Sequence, residues 1–420
     1  MAPAGRRVGP APWACRGVPA RAFAGKRSAL IIRASHEPQS NRRDLITISL
    51  AFFFAFVGAG ACQPFVISYL SDEKGLSPAW APLVLSLVYF TFAVFRFFIG
   101  FIIDFVGLNR AKIIGVATYA LFPFIIFRAE SPAVLLLGSV VWGIGAPMLW
   151  TSSLVQVMNT AAPNRYGTAA GIVRGTVMAA LFAGSYLLAF AYARSGYGAV
   201  FILASGLGVV GIGAMACTPR RRFRRERPDL HTFLRVLHNR EAQAVAAFLV
   251  ASGLAYGIVL NGSKTHIEVH CGKEWLQVIL PFCSFAAIVS SFVGGPVCDR
   301  LGRWPSFAWG FIVGGIGMVL AWAWTSPAVL MLAMFLIGVE YAIVPLAAFG
   351  WLGDNTSSAD RASVMGYIFC FRDLGVALAI QLRGMVSSIS AAFLVFAAVS
   401  AACAGAAFVV GARQTAARRG

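Results

Sequence analysis

Charged side chains inside long apolar runs are the residues of this sequence whose types could do chemistry. Glu340, Arg372, Asp373 and Arg174 interrupt runs that are otherwise almost free of charge. A charge inside a bilayer is costly unless it is paired or hydrated, so such residues are functional candidates. A guanidinium holds a carboxylate through two parallel hydrogen bonds, and a buried carboxyl can exchange a proton. The pattern therefore indicates recognition of an anionic solute together with proton coupling.

Glu340 and Arg372 are placed deepest in their runs. They lie about 13 and about nine residues in, which is roughly 20 Å and 14 Å at 1.5 Å per residue. Two interpretations stay open. The two residues form an ion pair that only joins two helices, or they face a central aqueous cavity and contact substrate or protons. Asp373 points roughly 100° away from Arg372 around a helix, so it need not share its partner.

Three other arginines lie nearer the ends of their runs. Arg96 is within two turns of one end, and Arg383 is close to an end of another run. We expect both guanidinium groups to reach the membrane surface. Arg174, about six residues into its run, is consistent either with that behaviour or with lining a cavity.

The elements that must position these residues are membrane-spanning helices. Hydrophobic residues make up 59% of the 420 residues, only 12% are charged, and the mean hydropathy is +0.75. Soluble domains contain about 25% charged residues, so a soluble globular protein is excluded. Twelve apolar runs are long enough for helices in a bilayer, which predicts an all-α membrane protein with twelve transmembrane helices. The runs, called spans 1 to 12, are 45–70, 80–103, 113–128, 132–158, 168–192, 197–217, 242–262, 275–298, 305–324, 327–352, 363–385 and 389–411.

A short loop motif occurs twice, 195 residues apart. Its second copy, after span 8, contains Asp299 and Arg303, and its first copy, after span 2, contains Asp104. Several glycines and one proline pair also match at this spacing, including Gly58 with Gly253, Pro132 with Pro327 and Gly171 with Gly366. The chain is therefore predicted to be a duplicated unit, two pseudo-symmetric six-helix bundles at 45–217 and 242–411.

The distribution of basic residues predicts the topology. With the N-terminus inside, tails and loops on that side carry 26 Lys or Arg, against five on the other side. Both termini are therefore expected to be cytoplasmic. The net charge of +19 follows this loop pattern rather than forming one soluble basic face, so we expect no nucleic-acid partner.

Three polar segments flank the bundles. Residues 1–44 are basic and acid-poor, which is typical of an organelle transit segment or of a disordered cytoplasmic tail. The first alternative would place the protein in an organelle membrane, and the second favours the plasma (inner) membrane. The linker 218–241 carries eight Arg and an amphipathic stretch, which predicts a cytoplasmic helix that binds anionic lipid. Residues 412–420 form a cytoplasmic tail.

The arrangement of spans and loops resembles the major facilitator superfamily of secondary transporters over about residues 45–411. In that family the loop reads G-x-x-x-D-R-x-G-R-[RK]; Trp304 departs from the last position, and Phe105 replaces the arginine of the first copy. The resemblance implies alternating access with a cavity lined by spans 1, 4, 7 and 10. Candidates there are Gln63, Trp150, Tyr256 and Asn261, with kinks at Pro64, Pro147 and Pro345.

The same loops are expected to act as a latch that stabilises one conformation. Glycines permit sharp turns and close helix approach, while the acid pairs with bases or faces a helix N-terminus. Asp354 is the expected partner of Arg303, whereas its equivalent in the first half, Asn159, lacks the charge. The predicted latch residues are Gly100, Asp104, Gly107, Gly295, Asp299, Arg300, Gly302, Arg303 and Asp354.

We therefore predict a secondary active transporter, not an enzyme, that carries a small solute such as an organic anion or carboxylate with protons. Drug or metabolite efflux by proton antiport is one alternative, although span 5 lacks the Gly-Pro pattern of many such antiporters. A non-transporting sensor or scaffold is the alternative from another class. We expect a monomer with no cofactor. His266, Glu268, His270 and Cys271 crowd one loop without defined ligand spacing, so no metal site is predicted.

Overall fold

The structure is a computed structural model that describes residues 42–76, 80–220, 238–382 and 388–419, without the side chains of 81–82, 258–261, 380–382 and 417–419. These residues form α-helices joined by short connections. The helices are α1 (Arg42–Ala55), α2 (Gln63–Asp72), α3 (Trp80–Phe97), α4 (Ile99–Val106), α5 (Leu108–Arg128), α6 (Pro132–Thr160), α7 (Tyr166–Ala216), α8 (Arg240–His270), α9 (Leu276–Leu301), α10 (Arg303–Ala323), α11 (Pro327–Asn355), α12 (Arg361–Leu382) and α13 (Ile389–Arg419). A π-helical turn, Phe56–Gly60, follows α1, and a 3-10 turn, Lys273–Trp275, precedes α9.

Ten of the described helical segments are long and apolar enough to cross a membrane, with α1 to α2 counted as one. The α3–α4 pair is an eleventh candidate. It is bent by 75° near Phe98, whereas the run 80–103 was predicted as one span. The chain is therefore an integral, multi-pass, all-helical membrane protein over the part that the structure describes.

Helix α7 contains both predicted spans 5 and 6. It is 51 residues long, and Gly196 is the residue inside it with non-helical angles, at φ 70° and ψ −168°. Glycine adopts a positive φ without the steric cost that a Cβ would cause. The connection predicted at 193–196 is thus a kink rather than a loop.

Two helices extend beyond their predicted apolar runs. Helix α8 continues eight residues past 262 and ends at His270, and α13 continues to Arg419 through the predicted tail. The end of α13 is compatible with helix once the chain leaves the hydrocarbon, because it is rich in Ala, Arg and Gln, which are good helix formers. The amphipathic helix predicted in the linker falls mainly on 221–237, outside the described residues.

The N-terminal half (42–220) and the C-terminal half (238–419) pack most extensively through two helix pairs, α3 with α12 and α7 with α9. Close packing at both contacts depends on glycine. A Cβ on Gly171 of α7 would collide with the carbonyl oxygen of Ser291 in α9, and one on Gly366 of α12 with that of Arg96 in α3. These contacts correspond at the 195-residue spacing.

Candidate functional site

A cavity of about 320 Å³ lies between the two halves. Pockets for small molecules begin at about 300 Å³, so this one suits a small solute. Its walls come from α2, α3, α5, α6, α7 and the π turn of the N-terminal half and from α8, α11 and α12 of the C-terminal half. The lining residues are Phe56, Gly60, Ala61, Gln63, Pro64, Val88, Tyr89, Phe92, Arg96, Tyr119, Trp142, Ala146, Trp150, Arg174, Val177, Met178, Leu181, Ser185, Tyr256, Tyr341, Phe349, Phe369, Arg372, Asp373 and Val376.

Aromatic rings form much of the cavity wall. Trp150 packs edge-on against Phe56 with ring centroids 5.4 Å apart, and Phe56 contacts Tyr119 at 5.1 Å. On the opposite side, Tyr256 and Tyr341 stack with centroids 4.0 Å apart and planes 14° from parallel. Such rigid walls exclude water and leave the polar groups to determine which solute binds.

Arg372 and Arg174 bring positive charge to this aromatic stack. The guanidinium carbons of Arg372 and Arg174 lie 5.1 Å and 5.5 Å from the centroid of Tyr341, and Arg372 is also 5.8 Å from that of Tyr256. Both side chains are buried, at 9% and 4% exposure, and Nη2 of Arg174 donates to the carbonyl oxygen of Tyr341 at 3.4 Å. Arg174 therefore lines the cavity instead of reaching the membrane surface.

These two guanidinium groups have donors that no described protein atom satisfies. Nε and Nη2 of Arg372 and Nε of Arg174 are buried without a hydrogen-bond partner in the described residues. Within that same part of the chain, neither arginine has a carboxylate within 4 Å. A buried charge without a counter-ion is unfavourable, so this end of the cavity is suited to an anion.

The position of Arg96 near the end of span 2 had suggested that its side chain reaches the membrane surface. The structure contradicts this prediction. Its Nη1 lies 2.7 Å from Oδ2 of Asp373, and the two side chains are 5% and 9% exposed. Arg96 lies in the last turn of α3 before the bend and lines the cavity instead. The pair joins α3 to α12, so one ion pair connects the two halves at the cavity.

Glu340 lies outside the cavity, which contradicts the prediction that it pairs with Arg372 or faces a central aqueous space. It is buried with its carboxylate against Gly314 of α10, and neither oxygen has a hydrogen-bond partner among the described residues. The physical reason is the helical rotation of about 100° per residue. That rotation turns the next residue, Tyr341, into the cavity and Glu340 into the packing between helices.

The remaining cavity candidates are placed as follows. Gln63, Trp150 and Tyr256 all line the cavity. Gln63 accepts a hydrogen bond through Oε1 from the hydroxyl of Tyr89 at 2.7 Å, which leaves its amide nitrogen as a donor. Pro64 stands at the start of α2 after a break in the helix, while Pro147 and Pro345 lie within α6 and α11. The side chain of Asn261 lies outside the described residues.

Asp299 caps the N-terminus of α7 from the opposite half. Its carboxylate accepts hydrogen bonds from the backbone N–H groups of Gly167 at 3.0 Å and Thr168 at 2.7 Å, and from the hydroxyl of Thr168 at 2.7 Å. Unpaired N–H groups and the helix dipole make this position favourable for an anion. The contact therefore fastens the last turn of α9 to the first turn of α7.

Arg303 extends this contact to α11. Its guanidinium bonds Asp299 at 2.7 Å and Asp354 at 2.7 Å, so the pairing expected from the sequence is present. Arg300, by contrast, is exposed at the surface. Trp304, which departs from the family pattern, is buried and its Nε1 donates to Gln414 of α13 at 2.8 Å.

The turn glycines of the two copies have the same backbone conformation. Gly107 and Gly302 both have φ 90°, which favours glycine. Gly100 and Gly295 are the close-approach positions: a Cβ would collide with Ser363 at the first and lie 2.7 Å from the carbonyl oxygen of Gly167 at the second. Asp104 is only partly buried, as expected for a copy without the arginine.

Arg361 is a further contact between the halves on the same side of the molecule. Its Nη1 donates to Asn159, its Nη2 to the carbonyl oxygens of Gly353 at 3.3 Å and Thr356 at 3.2 Å, and its guanidinium carbon lies 5.3 Å from the ring centroid of Tyr166. The sequence analysis missed this residue. The repeat contained a signal for it, because Arg361 follows its contact residue Tyr166 by the repeat spacing of 195 residues and so occupies the equivalent position in the second half.

Other residues were missed for lack of charge or periodic signal. Tyr341 and Tyr89 are aromatic residues among many in apolar runs, and only the fold shows that they line the cavity. The polar cluster predicted in the loop after span 7 lies mainly on α8, where the His266 and His270 rings are 4.6 Å apart. Within the described residues no three His, Cys, Asp or Glu side chains are arranged to hold a metal ion.

The geometry therefore defines a class of protein: a helical membrane protein with a charged, aromatic cavity between two halves. The family model of the Major Facilitator Superfamily matches residues 48–380, and the chain belongs to that superfamily. Members of the superfamily are generally transporters, so the protein is a secondary transporter. No curated protein matches the sequence.

Proposed function

We propose that this transporter carries a small organic anion, a carboxylate, by alternating access, and that the cavity between the halves is its binding site. The observation that carries the proposal is the pair of buried arginines, Arg174 and Arg372, with unsatisfied donors beside the Tyr256–Tyr341 stack. A carboxylate accepts bidentate hydrogen bonds from a guanidinium, and the aromatic walls favour the apolar part of the solute.

The proposed architecture is twelve spans in two pseudo-symmetric bundles with both termini cytoplasmic. Counting α7 as two spans on either side of Gly196, and α3–α4 as one, supports twelve. The glycine contacts that correspond at 195 residues support the pseudo-symmetry. The contacts of Asp299, Arg303 and Arg361 would then lie on the cytoplasmic side and hold the two halves together there.

We propose that Asp373, rather than Glu340, couples transport to protons. Asp373 is the carboxylate that lines the cavity, and its partner Arg96 belongs to the other half. Separation of the halves would break the ion pair, and a proton is then the cation that can take the place of Arg96 at the carboxylate of Asp373. Anion and proton would then move together in symport.

The proposed function also concerns the oligomeric state, the membrane and the lipids that bind the protein. We propose that the transporter works as a monomer in the plasma membrane. The arginines of the linker 218–241 would bind anionic lipid headgroups, since each basic residue near such a surface adds about 1 kcal/mol.

A ligand screen by thermal shift on the purified protein tests the substrate class. The panel should contain organic anions, cations and neutral solutes of similar size, because ligand binding raises the melting temperature. We expect stabilisation by carboxylates and none by cations. Stabilisation by hydrophobic cations alone would contradict the proposal and favour drug efflux.

A further inference from the structure

The two arginines of the cavity belong to different halves of the protein. Arg174 lies on α7 of the N-terminal half, and Arg372 lies on α12 of the C-terminal half. Both approach the same ring, Tyr341, so their guanidinium carbons are no farther apart than the sum of their 5.5 Å and 5.1 Å distances to its centroid. A single small solute can therefore reach both.

The charges of the cavity do not balance. Its lining includes three guanidinium groups, from Arg96, Arg174 and Arg372, and one carboxylate, from Asp373. Asp373 is engaged by Arg96 at 2.7 Å, which leaves the charges of Arg174 and Arg372 without an ionic partner in the described part of the chain. Stacking on tyrosine compensates a buried guanidinium only in part. Two negative charges are needed to neutralise the site.

We infer that the substrate is a dianion with two separate carboxylates, one bound by Arg372 and the other by Arg174. This inference rests on the proposed function and specifies its substrate class. Each planar guanidinium fork suits one carboxylate. A dicarboxylate would connect the two halves across the cavity, whereas a monocarboxylate would neutralise one arginine and leave the other buried charge unpaired.

The test is a competition assay that compares each dicarboxylate with its half-amide, for example succinate with succinamate. The two compounds match in size and differ by one charge. At a pH where every carboxyl is ionised, we expect the dianion to bind about tenfold more tightly or better, since one charge-assisted contact is lost in the half-amide. Inorganic phosphate serves as a dianion whose charges lie at one point, and it should bind more weakly than the dicarboxylate.

Variants of Arg174 assign the second carboxylate. Arg174→Gln should bring the affinity ratio of dianion to half-amide close to one, and Arg174→Lys should retain part of the preference because it keeps the charge. Arg194→Gln, on the exposed outer part of α7, is the control and should keep the wild-type ratio. If Arg174→Gln does not fold, Arg174→Lys still tests the point through an intermediate ratio.

Three outcomes would overturn the inference. They are equal affinity for dianions and half-amides, binding of two half-amide molecules per protein, and tighter binding of phosphate than of any dicarboxylate. In each case an anion still binds, so the proposed function survives and only the dianion is wrong. Failure of every anion to bind would instead overturn both.

Discussion

The chemistry of the cavity depends on Arg372, whose planar fork is buried against two tyrosines. Arg372→Lys keeps the charge but loses the paired donors, so we expect anion affinity to fall about tenfold or more while the protein stays folded. Equilibrium binding of the best anion from the screen measures this. Arg194→Lys, on the exposed outer part of α7, is the matched control and should bind as the wild type does. Unchanged affinity in Arg372→Lys would show that the residue only supports packing.

A second prediction at the residue scale separates the two buried acids. Asp373→Asn removes the partner of Arg96, and an unpaired buried charge costs about 3 to 5 kcal/mol, so the melting temperature should fall. The double variant Arg96→Gln/Asp373→Asn removes both charges and should recover stability but not proton-driven accumulation. Uptake under an imposed pH gradient measures the second effect.

Glu340→Gln is the control for that experiment. Its carboxylate lies outside the cavity against Gly314, so proton-driven accumulation should be retained. Loss of accumulation in Glu340→Gln, with normal accumulation in the double variant, would assign the proton to Glu340 and contradict the coupling role of Asp373.

Only some of the cavity residues could be predicted from the sequence. Charge inside apolar runs pointed to Arg174, Arg372 and Asp373, and all three line the cavity, although for Arg174 two orientations had stayed open. It failed for Glu340 and Arg96, because depth along a helix is readable from the sequence but rotation about its axis is not. One residue of rotation exchanges Glu340 for Tyr341, and only packing between helices determines that angle.

Among the elements, the last turn of α9 contacts α7 through Asp299, and Asp299 is joined to α11 through Arg303 at the start of α10. Asp299→Asn would weaken its contacts with Arg303 and with the first turn of α7, at roughly 1 to 3 kcal/mol. We expect the population open on the side of these loops to increase, with faster or slower transport but little change in substrate affinity. Alkylation of a cysteine introduced at Met178, which lines the cavity, measures the opening from each side of the membrane.

The register-equivalent variant Asp104→Asn is the control for the latch. Asp104 is partly exposed and its copy of the motif has Phe105 where the arginine would stand, so alkylation should change less. Equal alkylation of the wild type and Asp299→Asn from both sides would mean that these contacts only cap a helix.

Most helices could be predicted from apolar length, and the loop motif and its glycines from the repeat. The bend between α3 and α4 could not, because no proline marks the break, and the sequence predicted a connection at 193–196 but not that it would be a kink within one helix. Arg96, in the last turn of α3 before the bend, pairs with Asp373.

For the whole molecule, we expect the two halves to close on one side around a positively charged cavity that binds an anion. The twelve-span count and the sidedness stay predictions. The cavity is the functional centre of the molecule, because the helices position it and the contacts between the halves control its opening. Its arginines come from both halves, so movement of the halves would move the anion site itself.

Uptake into proteoliposomes of the radiolabelled carboxylate that binds best in the screen tests whether the protein transports an anion through this cavity. We expect saturable uptake by the wild type, a rate at least about tenfold lower for Arg372→Gln at equal protein content, and wild-type uptake for Arg194→Gln. Equal uptake by Arg372→Gln and the wild type, or no flux of any carboxylate through a folded wild-type protein, would contradict it.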